Sequence, residues 1–159
     1  MIFLSVGTHN QQFNRLLEEV DALIEKNQIK EEVFAQTGNS TYSPKHFKYK
    51  KFMDLDEFDK CIKQCTLFIT HAGEGNIGTG LQYEKKMIVV PRLKKYGEHT
   101  NDHQLELANA INKEKQAIVC TPEEIKNALT KIKNLKPKKT KHAKEIINLI
   151  EQFEETNFK

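Results

Sequence analysis

The alternation of short apolar runs with helix-periodic segments along the whole chain is the feature that most restricts its fold. KYKKFM predicts a short strand, and five further runs have the length of buried strands: IFLSV (2–6), EVFAQTG (32–38), TLFIT (66–70), MIVVP (87–91) and QAIVC (116–120). The segments between them, such as residues 13–27, repeat apolar residues at helical spacing. Strands and helices that alternate in this way form parallel sheets through right-handed crossovers. The sequence therefore predicts an α/β fold, a Rossmann-like parallel sheet with helices on both faces.

The predicted strands also divide the chain. Residues 1–135 hold all of them and predict one Rossmann-like domain, which the 159 residues suffice to build. Thr121, with Pro122 next and Glu124 three residues on, predicts a helix start with a capping box. Residues 136–159 are predicted to be a basic segment and a C-terminal helix that packs on the domain or on a partner.

Ligands of such sheets bind outside the carboxyl ends of the strands, so the loops there are the candidate site. The loop at residues 71–80, HAGEGNIGTG, carries four glycines directly after a predicted strand. Gly73 and Gly75 predict that the backbone N–H groups of Gly75, Asn76 and Ile77 face an anion at a helix N-terminus, where a phosphate binds. The loop has neither the Walker lysine nor the GxGxxG spacing. The alternative is a glycine turn that serves only tight packing.

His71 is the first residue of that loop. Its imidazole is a candidate hydrogen-bond donor to a phosphate, or less favourably a base. The alternative is a core histidine whose hydrogen bonds are satisfied within the protein.

Residues 91–104, PRLKKYGEHTNDHQ, concentrate donors and acceptors as a sugar-binding loop would. The alternative is a metal site. Its candidate ligands are Glu98, His99, Asp102 and His103. Their spacing matches no compact helical ligand motif, so no metal is predicted.

The composition indicates the cellular location of the protein and the partners that it could contact. No apolar stretch is long enough to span a membrane and the N-terminus has no basic region before its apolar residues, which predicts a cytoplasmic protein. Cys61, Cys65 and Cys120 are an odd number and predict buried thiols in preference to a metal site. Five lysines between Lys136 and Lys144 predict a solvated linker or a contact with anionic lipid. No aromatic residues stand between them, which disfavours nucleic acid.

Five motifs, in this order along the chain, together resemble those of a known family: VGTHNQQFNRLL, QTGNS, THAGEGNI, VVPR and YGEHTNDHQLELA. With them the chain resembles the C-terminal, donor-binding half of the GT-B glycosyltransferases related to MurG, glycosyltransferase family 28. More narrowly, it is similar to the small catalytic subunits of split enzymes. These are the eukaryotic dolichol-linked N-acetylglucosaminyltransferase and the bacterial PssE and EpsF proteins of exopolysaccharide and capsule synthesis. The resemblance spans nearly the whole chain.

The resemblance implies a UDP-sugar site, so that residues 1–135 would be a Rossmann-like nucleotide-sugar-binding domain. It places the diphosphate on His71, Gly73, Gly75 and Asn76, and the sugar near Asp102, His103 and Gln104. Gly7 and Thr8 match the family's first glycine loop, which faces the cleft between the two halves. Thr79 stands where MurG-like enzymes carry a ribose-binding glutamate, and Glu98 is a substitute acid at the same edge. Arg92 completes the predicted donor-binding set, as a contact to an acidic sugar or a residue that faces solvent.

The resemblance also implies the reaction. It is the inverting, metal-independent transfer of a hexose or uronic acid from a UDP-sugar to a polyprenyl-diphosphate-linked saccharide. No cofactor is expected. A PssD-like, membrane-anchored partner is expected to bring the acceptor and the general base, and to hold this chain at the inner face of the plasma membrane. The alternative function is a non-catalytic nucleotide-sugar-binding module.

Overall fold

A computed structural model describes residues 1–137 and residues 145, 148, 151 and 152. Six strands form one sheet in the order β3-β2-β1-β4-β5-β6, and every pair of neighbours is parallel. The strands are β1 (Ile2–Ser5), β2 (Val33–Gln36), β3 (Lys48–Lys50), β4 (Leu67–His71), β5 (Met87–Val90) and β6 (Ile118–Val119). All the carboxyl ends therefore lie at one edge, and β1 and β4 are central.

Helices connect the strands. The α-helices are α1 (Asn14–Glu25), α2 (Leu55–Gln64), α3 (Glu74–Gln82), α4 (His103–Lys113) and α5 (Ile125–Lys131). Short 3₁₀ turns lie at Lys94–Tyr96, Pro122–Glu124 and Ile132–Asn134.

The two faces of the sheet carry separate hydrophobic cores, because successive side chains of a strand point to opposite faces. On one face Leu4 and Ile69 pack with the apolar residues of α1 and α5. On the other, Phe3 and Phe68 stack at 5.5 Å between ring centroids and pack with α2, α3 and α4. The predicted parallel α/β sheet with helices on both faces is confirmed.

Several element ends differ from the predicted ones. The strand expected over residues 116–120 keeps only two residues. Helix α3 begins at Glu74, and α4 begins at His103, whose N–H donates to the side chain of Asn101. Pro122–Glu124 is a 3₁₀ turn, although the Thr121 N–H donates to the Glu124 carboxylate as the predicted capping box requires.

The remaining expectations concern the cysteines and the C-terminal part. All three cysteines are free and buried, as predicted. In the range that the structure describes, no helix is long and apolar enough to cross a membrane. The predicted boundary at 135/136 is untested. The basic segment after Pro137 and most of the predicted last helix lie outside the described residues.

Two glycines of α3 provide a matched test of this packing. A Cβ on Gly80 would lie 2.3 Å from the Met87 sulfur and 3.2 Å from Phe68, whereas one on Gly78 would meet nothing within 4 Å. We expect Gly80→Ala to lower the free energy of unfolding by about 1–3 kcal/mol through overpacking. Gly78→Ala should leave it unchanged or raise it by up to about 1 kcal/mol, because alanine favours helix. Urea unfolding of both variants measures this, and equal stabilities would contradict the packing described.

Candidate functional site

A cavity of about 480 Å³ opens at the carboxyl edge of the sheet, over the ends of β1, β2 and β4. Seven of the residues predicted from the sequence line it: Gly7, Thr8, His71, Gly73, Gly75, Asn76 and Gln104. The edge that was expected to hold the site therefore brings most of these residues together.

A larger cavity, of about 670 Å³, lies at the opposite edge of the sheet. It is lined by residues around the strand starts, by α5 and by the 3₁₀ turn that follows it, including Lys86, Lys126 and Lys133. It contains none of the predicted site residues. The C-terminal end of a helix carries a partial negative charge, which makes this edge the less suitable one for a phosphate.

The imidazole of His71 lies between two glycines at the floor of the first cavity. A Cβ on Gly7 would lie 2.5 Å from His71 Nε2, and a Cβ on Gly73 would lie 2.1 Å from its Cε1. Gly7 also has a φ of 76°, in the left-handed region that favours glycine. Any side chain at either position would displace the ring.

Gln104 fixes the proton of that ring. Its side-chain carbonyl accepts hydrogen bonds from the Ala72 N–H at 3.2 Å and from the Arg92 N–H at 3.0 Å. The amide nitrogen of Gln104 therefore faces His71 Nδ1, 3.1 Å away, and can only donate. Nδ1 is thus the acceptor, and neutral His71 carries its proton on Nε2.

The charge of His71 follows from its surroundings. Burial, and secondarily the nearby Arg92 cation, lower the pKa of His71 to about 3. The ring is consequently neutral at physiological pH. Its one N–H donor is at Nε2.

The N-terminus of α3 supplies further donors. Gly73 is the N-cap residue, and the Ile77 N–H donates to its carbonyl at 3.1 Å. The expectation that the Ile77 amide faces an anion is therefore wrong, since this amide is already in the helix. The N–H groups of Gly75 and Asn76 belong to the first turn and have no intrahelical acceptor. Gly75 is exposed and has open space around its Cα.

The side chain of Asn76 holds this helix end in place. Its amide nitrogen lies 3.0 Å from Ser5 Oγ and 2.9 Å from Thr70 Oγ1, at the ends of β1 and β4. Ser5 in turn donates to Gln36 on β2 and accepts the Gly7 N–H. The first turn of α3 is therefore tied to three neighbouring strands.

Two predicted ligand contacts are wrong, because both side chains are buried and already paired. Glu98 has no exposed surface, and its carboxylate pairs with the Arg15 guanidinium at 2.6 and 3.1 Å and accepts the Leu93 N–H. Arg92 is 1% exposed and donates to main-chain carbonyls, including that of Glu98. Burial lowers the pKa of Arg92 to about 10, so it remains a buried cation beside the site. The sequence shows these charges but not their pairing.

Three further predicted residues lie outside the cavity lining. The Thr79 hydroxyl donates to the Gly75 carbonyl at 2.8 Å, within α3. Asp102 accepts the Lys94 N–H at 2.9 Å, and His103 lies near Glu106, with 3.6 Å between Nδ1 and Oε2. Asp102 and His103 start α4, next to Gln104, which does line the cavity.

The cavity also includes residues that the sequence analysis did not select: His9, Gln36, Met53, Asp54, Leu55 and Phe58. Four of them follow β3, whose three exposed residues give a weak strand signal. The Asp54 side chain accepts the Glu57 N–H and caps α2. This N-cap signal was readable in FMDLDEF and could have added the loop to the site.

In residues 1–137 and the four others described, no group of three or more His, Cys, Asp or Glu side chains is placed to hold a metal ion. The site instead gathers N–H donors. Such a set fits an anion.

Comparison with known proteins agrees with the observed fold. The model of the glycosyltransferase family 28 C-terminal domain matches residues 1–156. The chain belongs to this family. It is 31% identical over 129 residues to the UDP-N-acetylglucosamine transferase subunit ALG13 of Homo sapiens, covering 76% of this chain and 11% of that protein.

Two further matches are informative. A UDP-N-acetylglucosamine--N-acetylmuramyl-(pentapeptide) pyrophosphoryl-undecaprenol N-acetylglucosamine transferase of Prochlorococcus marinus is 29% identical over 133 residues, with 77% of this chain and 35% of that protein covered. The crystal structure of Acinetobacter baumannii MurG superposes with a TM-score of 0.61 at 19% identity, covering 94% of this chain and 49% of that one. This structural likeness shows the fold. The chain spans well under two thirds of each of these proteins.

The low pKa of His71 predicts an acid-sensitive fold. An unfolded histidine titrates near its ordinary pKa of 6.5, whereas folded His71 stays neutral down to about pH 3. The unfolded state therefore binds the extra proton, and stability falls as the pH drops from about 6.5 towards 3, by up to about 1.4 kcal/mol per pH unit. We expect His71→Gln to remove this contribution. Urea unfolding at pH values from 7 to 4.5 gives the free energy of unfolding of the wild type and of the variant, and the slopes of the two curves against pH are compared. His9 and His99 are present in both proteins, so they do not account for a difference between the slopes. Parallel curves would show that His71 is not buried as neutral imidazole.

Proposed function

We propose that this member of glycosyltransferase family 28 binds a UDP-sugar at the carboxyl edge of its sheet and is the donor-binding part of an inverting, metal-independent glycosyltransferase. The observation that carries the proposal is a set of three N–H donors on residues that line one cavity. They are the Nε2–H of His71 and the first-turn N–H groups of Gly75 and Asn76. A diphosphate there would be held by neutral donors and by the helix dipole.

An apolar part of the cavity lining suits the base. Met53, Leu55 and Phe58 form an apolar wall, contributed by the loop after β3 and the first turn of α2. Leu55 is 87% exposed, although leucine normally avoids solvent. We assign the uracil to this wall.

The chemistry follows from the donors. Transfer breaks the bond between the sugar C1 and the diphosphate oxygen, and negative charge builds on the departing UDP. Fixed amides and the Nε2–H stabilise that charge in the transition state without having to reorganise, and the buried Arg92 cation adds to the local field. Inversion follows when an acceptor hydroxyl attacks C1 from the side opposite to the diphosphate. The base for this hydroxyl is proposed to lie outside this chain.

The acceptor half is assigned to a separate, PssD-like membrane protein. The residues that the structure describes form a single sheet, and the human relative is named a transferase subunit. This partner would present a polyprenyl-diphosphate-linked saccharide and keep the chain at the inner face of the membrane. The proposed donors are UDP-hexoses and UDP-uronic acids, and the proposed pathway class is exopolysaccharide or capsule synthesis.

Titration of the chain with UDP, followed by calorimetry, tests the diphosphate site. Gly75→Asp would place a carboxylate at the first-turn amides, and we expect it to weaken UDP binding at least tenfold by charge repulsion. Gly78→Asp is the matched control, because it adds the same charge one turn later, where a Cβ also meets nothing within 4 Å. Its affinity should stay within about threefold of the wild type. Equal losses in both variants, or no UDP binding by the wild-type chain, would contradict the assignment.

A reconstitution tests the division of labour. We expect the purified chain to bind UDP-sugar but not to transfer the sugar to a lipid-linked acceptor. Transfer should appear when membranes containing a co-expressed PssD-like protein are added. Transfer of the sugar to the acceptor is measured with UDP-glucose, UDP-galactose, UDP-N-acetylglucosamine and UDP-glucuronic acid as donors. Robust transfer by the chain alone would refute the need for a partner. Binding without transfer to any tested acceptor, even with the partner, would favour the non-catalytic module.

A further inference from the structure

Two histidines that the diphosphate assignment leaves unused stack on each other at the mouth of the cavity. The rings of His9 and His99 lie 4.4 Å apart between centroids, at an angle of 24°. His9 lies on the loop after β1 and lines the cavity. His99 lies on the loop after β5 and covers the His9 ring. The two strands are not neighbours, since β4 separates them in the sheet.

Backbone amides fix the tautomers of both rings. The Gln11 N–H donates to His9 Nδ1 at 3.4 Å, and the Asn101 N–H donates to His99 Nδ1 at 3.3 Å. Each Nδ1 is an acceptor, so each neutral ring carries its proton on Nε2. Burial lowers the pKa of both imidazoles, and the Arg92 cation lowers both further. The pair therefore presents uncharged N–H donors.

Several polar contacts hold the two loops together. The Arg92 guanidinium donates to the carbonyls of Gln11 and Glu98, one in each loop, at 3.0 and 2.9 Å. The Gln12 side chain donates to the Tyr96 carbonyl at 3.0 Å, again from one loop to the other. The bidentate pair between Arg15 and Glu98 joins the second loop to α1. The loop that carries His9 is therefore joined to the loop that carries His99.

The position of His9 and His99 along the sheet edge determines which part of a UDP-sugar they contact. The end of β4 carries His71 and leads into the first turn of α3, the residues assigned to the diphosphate. The ends of β1 and β5, where the two histidines stand, lie on either side of β4. The pair therefore stands beside the diphosphate site, and in a UDP-sugar the sugar is bonded directly to the diphosphate.

We propose that His9 is a specificity-determining contact for the transferred sugar, whose hydroxyl accepts a hydrogen bond from the His9 Nε2–H, and that His99 positions the His9 ring by stacking. This inference rests on the proposed function. A neutral donor selects for hydroxyl or carbonyl oxygens on the sugar. The side chain of His9 therefore distinguishes a sugar-bearing nucleotide from UDP alone.

The test compares the affinity of UDP with the affinities of UDP-glucose, UDP-galactose, UDP-N-acetylglucosamine and UDP-glucuronic acid. His9→Phe keeps an aromatic ring to stack on His99 and removes the donor. For the sugar that the wild type binds best, we expect the ratio of the UDP Kd to the UDP-sugar Kd to fall about threefold to tenfold in this variant, the contribution of one hydrogen bond. The affinity for UDP itself should stay within about twofold, which also reports an intact fold.

Two variants of His99 test its positioning role. His99→Phe keeps the stacking and should leave the ratio within about twofold of the wild type, whereas His99→Ala should lower it as His9→Phe does. If UDP binds but the ratio is unchanged in His9→Phe, or the wild type gains nothing from the sugar, this inference is overturned and the diphosphate site stands. Failure of wild-type UDP binding would remove the proposed function, and this inference with it.

Discussion

The hydrogen bond between Gln104 and His71 is the contact on which the site depends. Through its carbonyl, Gln104 joins the main chain at the ends of β4 and β5, and through its amide it sets the proton on His71 Nε2. The same bond fixes the plane of the ring. Gly7 and Gly73 leave space for that ring from two different loops. The Gln104 side chain thereby connects the ends of β4 and β5 with the His71 ring, which Gly7 and Gly73 accommodate and which has one N–H donor.

The electrostatics of the two sheet edges are unlike. At the carboxyl edge, helix amides and neutral imidazoles provide donors, and the nearby cation, Arg92, is buried beneath the surface. At the other edge, exposed lysines surround a larger cavity. Cavity size and surface charge would favour the lysine-lined edge as the diphosphate site. Preorganised N–H groups favour the carboxyl edge, because they stabilise developing charge without reorganising.

Much of the fold was predictable because it depends on local patterns. The buried strands have apolar runs of the right length, and the glycine loop after β4 signals a helix start. KYKKFM predicted the short strand β3, but its three exposed residues did not mark the loop after it as part of the site, and the N-cap signal of Asp54 was not used. The site was less predictable where it depends on pairing. Glu98 and Arg92 read as polar loop residues, yet tertiary contacts with Arg15 and with main-chain carbonyls bury both. The role of Gln104 as the partner of His71 requires two strands and a helix to be placed first.

Nuclear magnetic resonance of the ¹⁵N-labelled chain tests the central claim, that the diphosphate binds at His71 and the first turn of α3. The spectra would record backbone amides and imidazole nitrogens while UDP is added. The account predicts a protonated Nε2 on His71 in the free protein, and shifts concentrated at that nitrogen and at the amides of Gly75 and Asn76. Shifts concentrated around Lys126 and Lys133 at the other edge, or a proton on Nδ1 of His71, would contradict it.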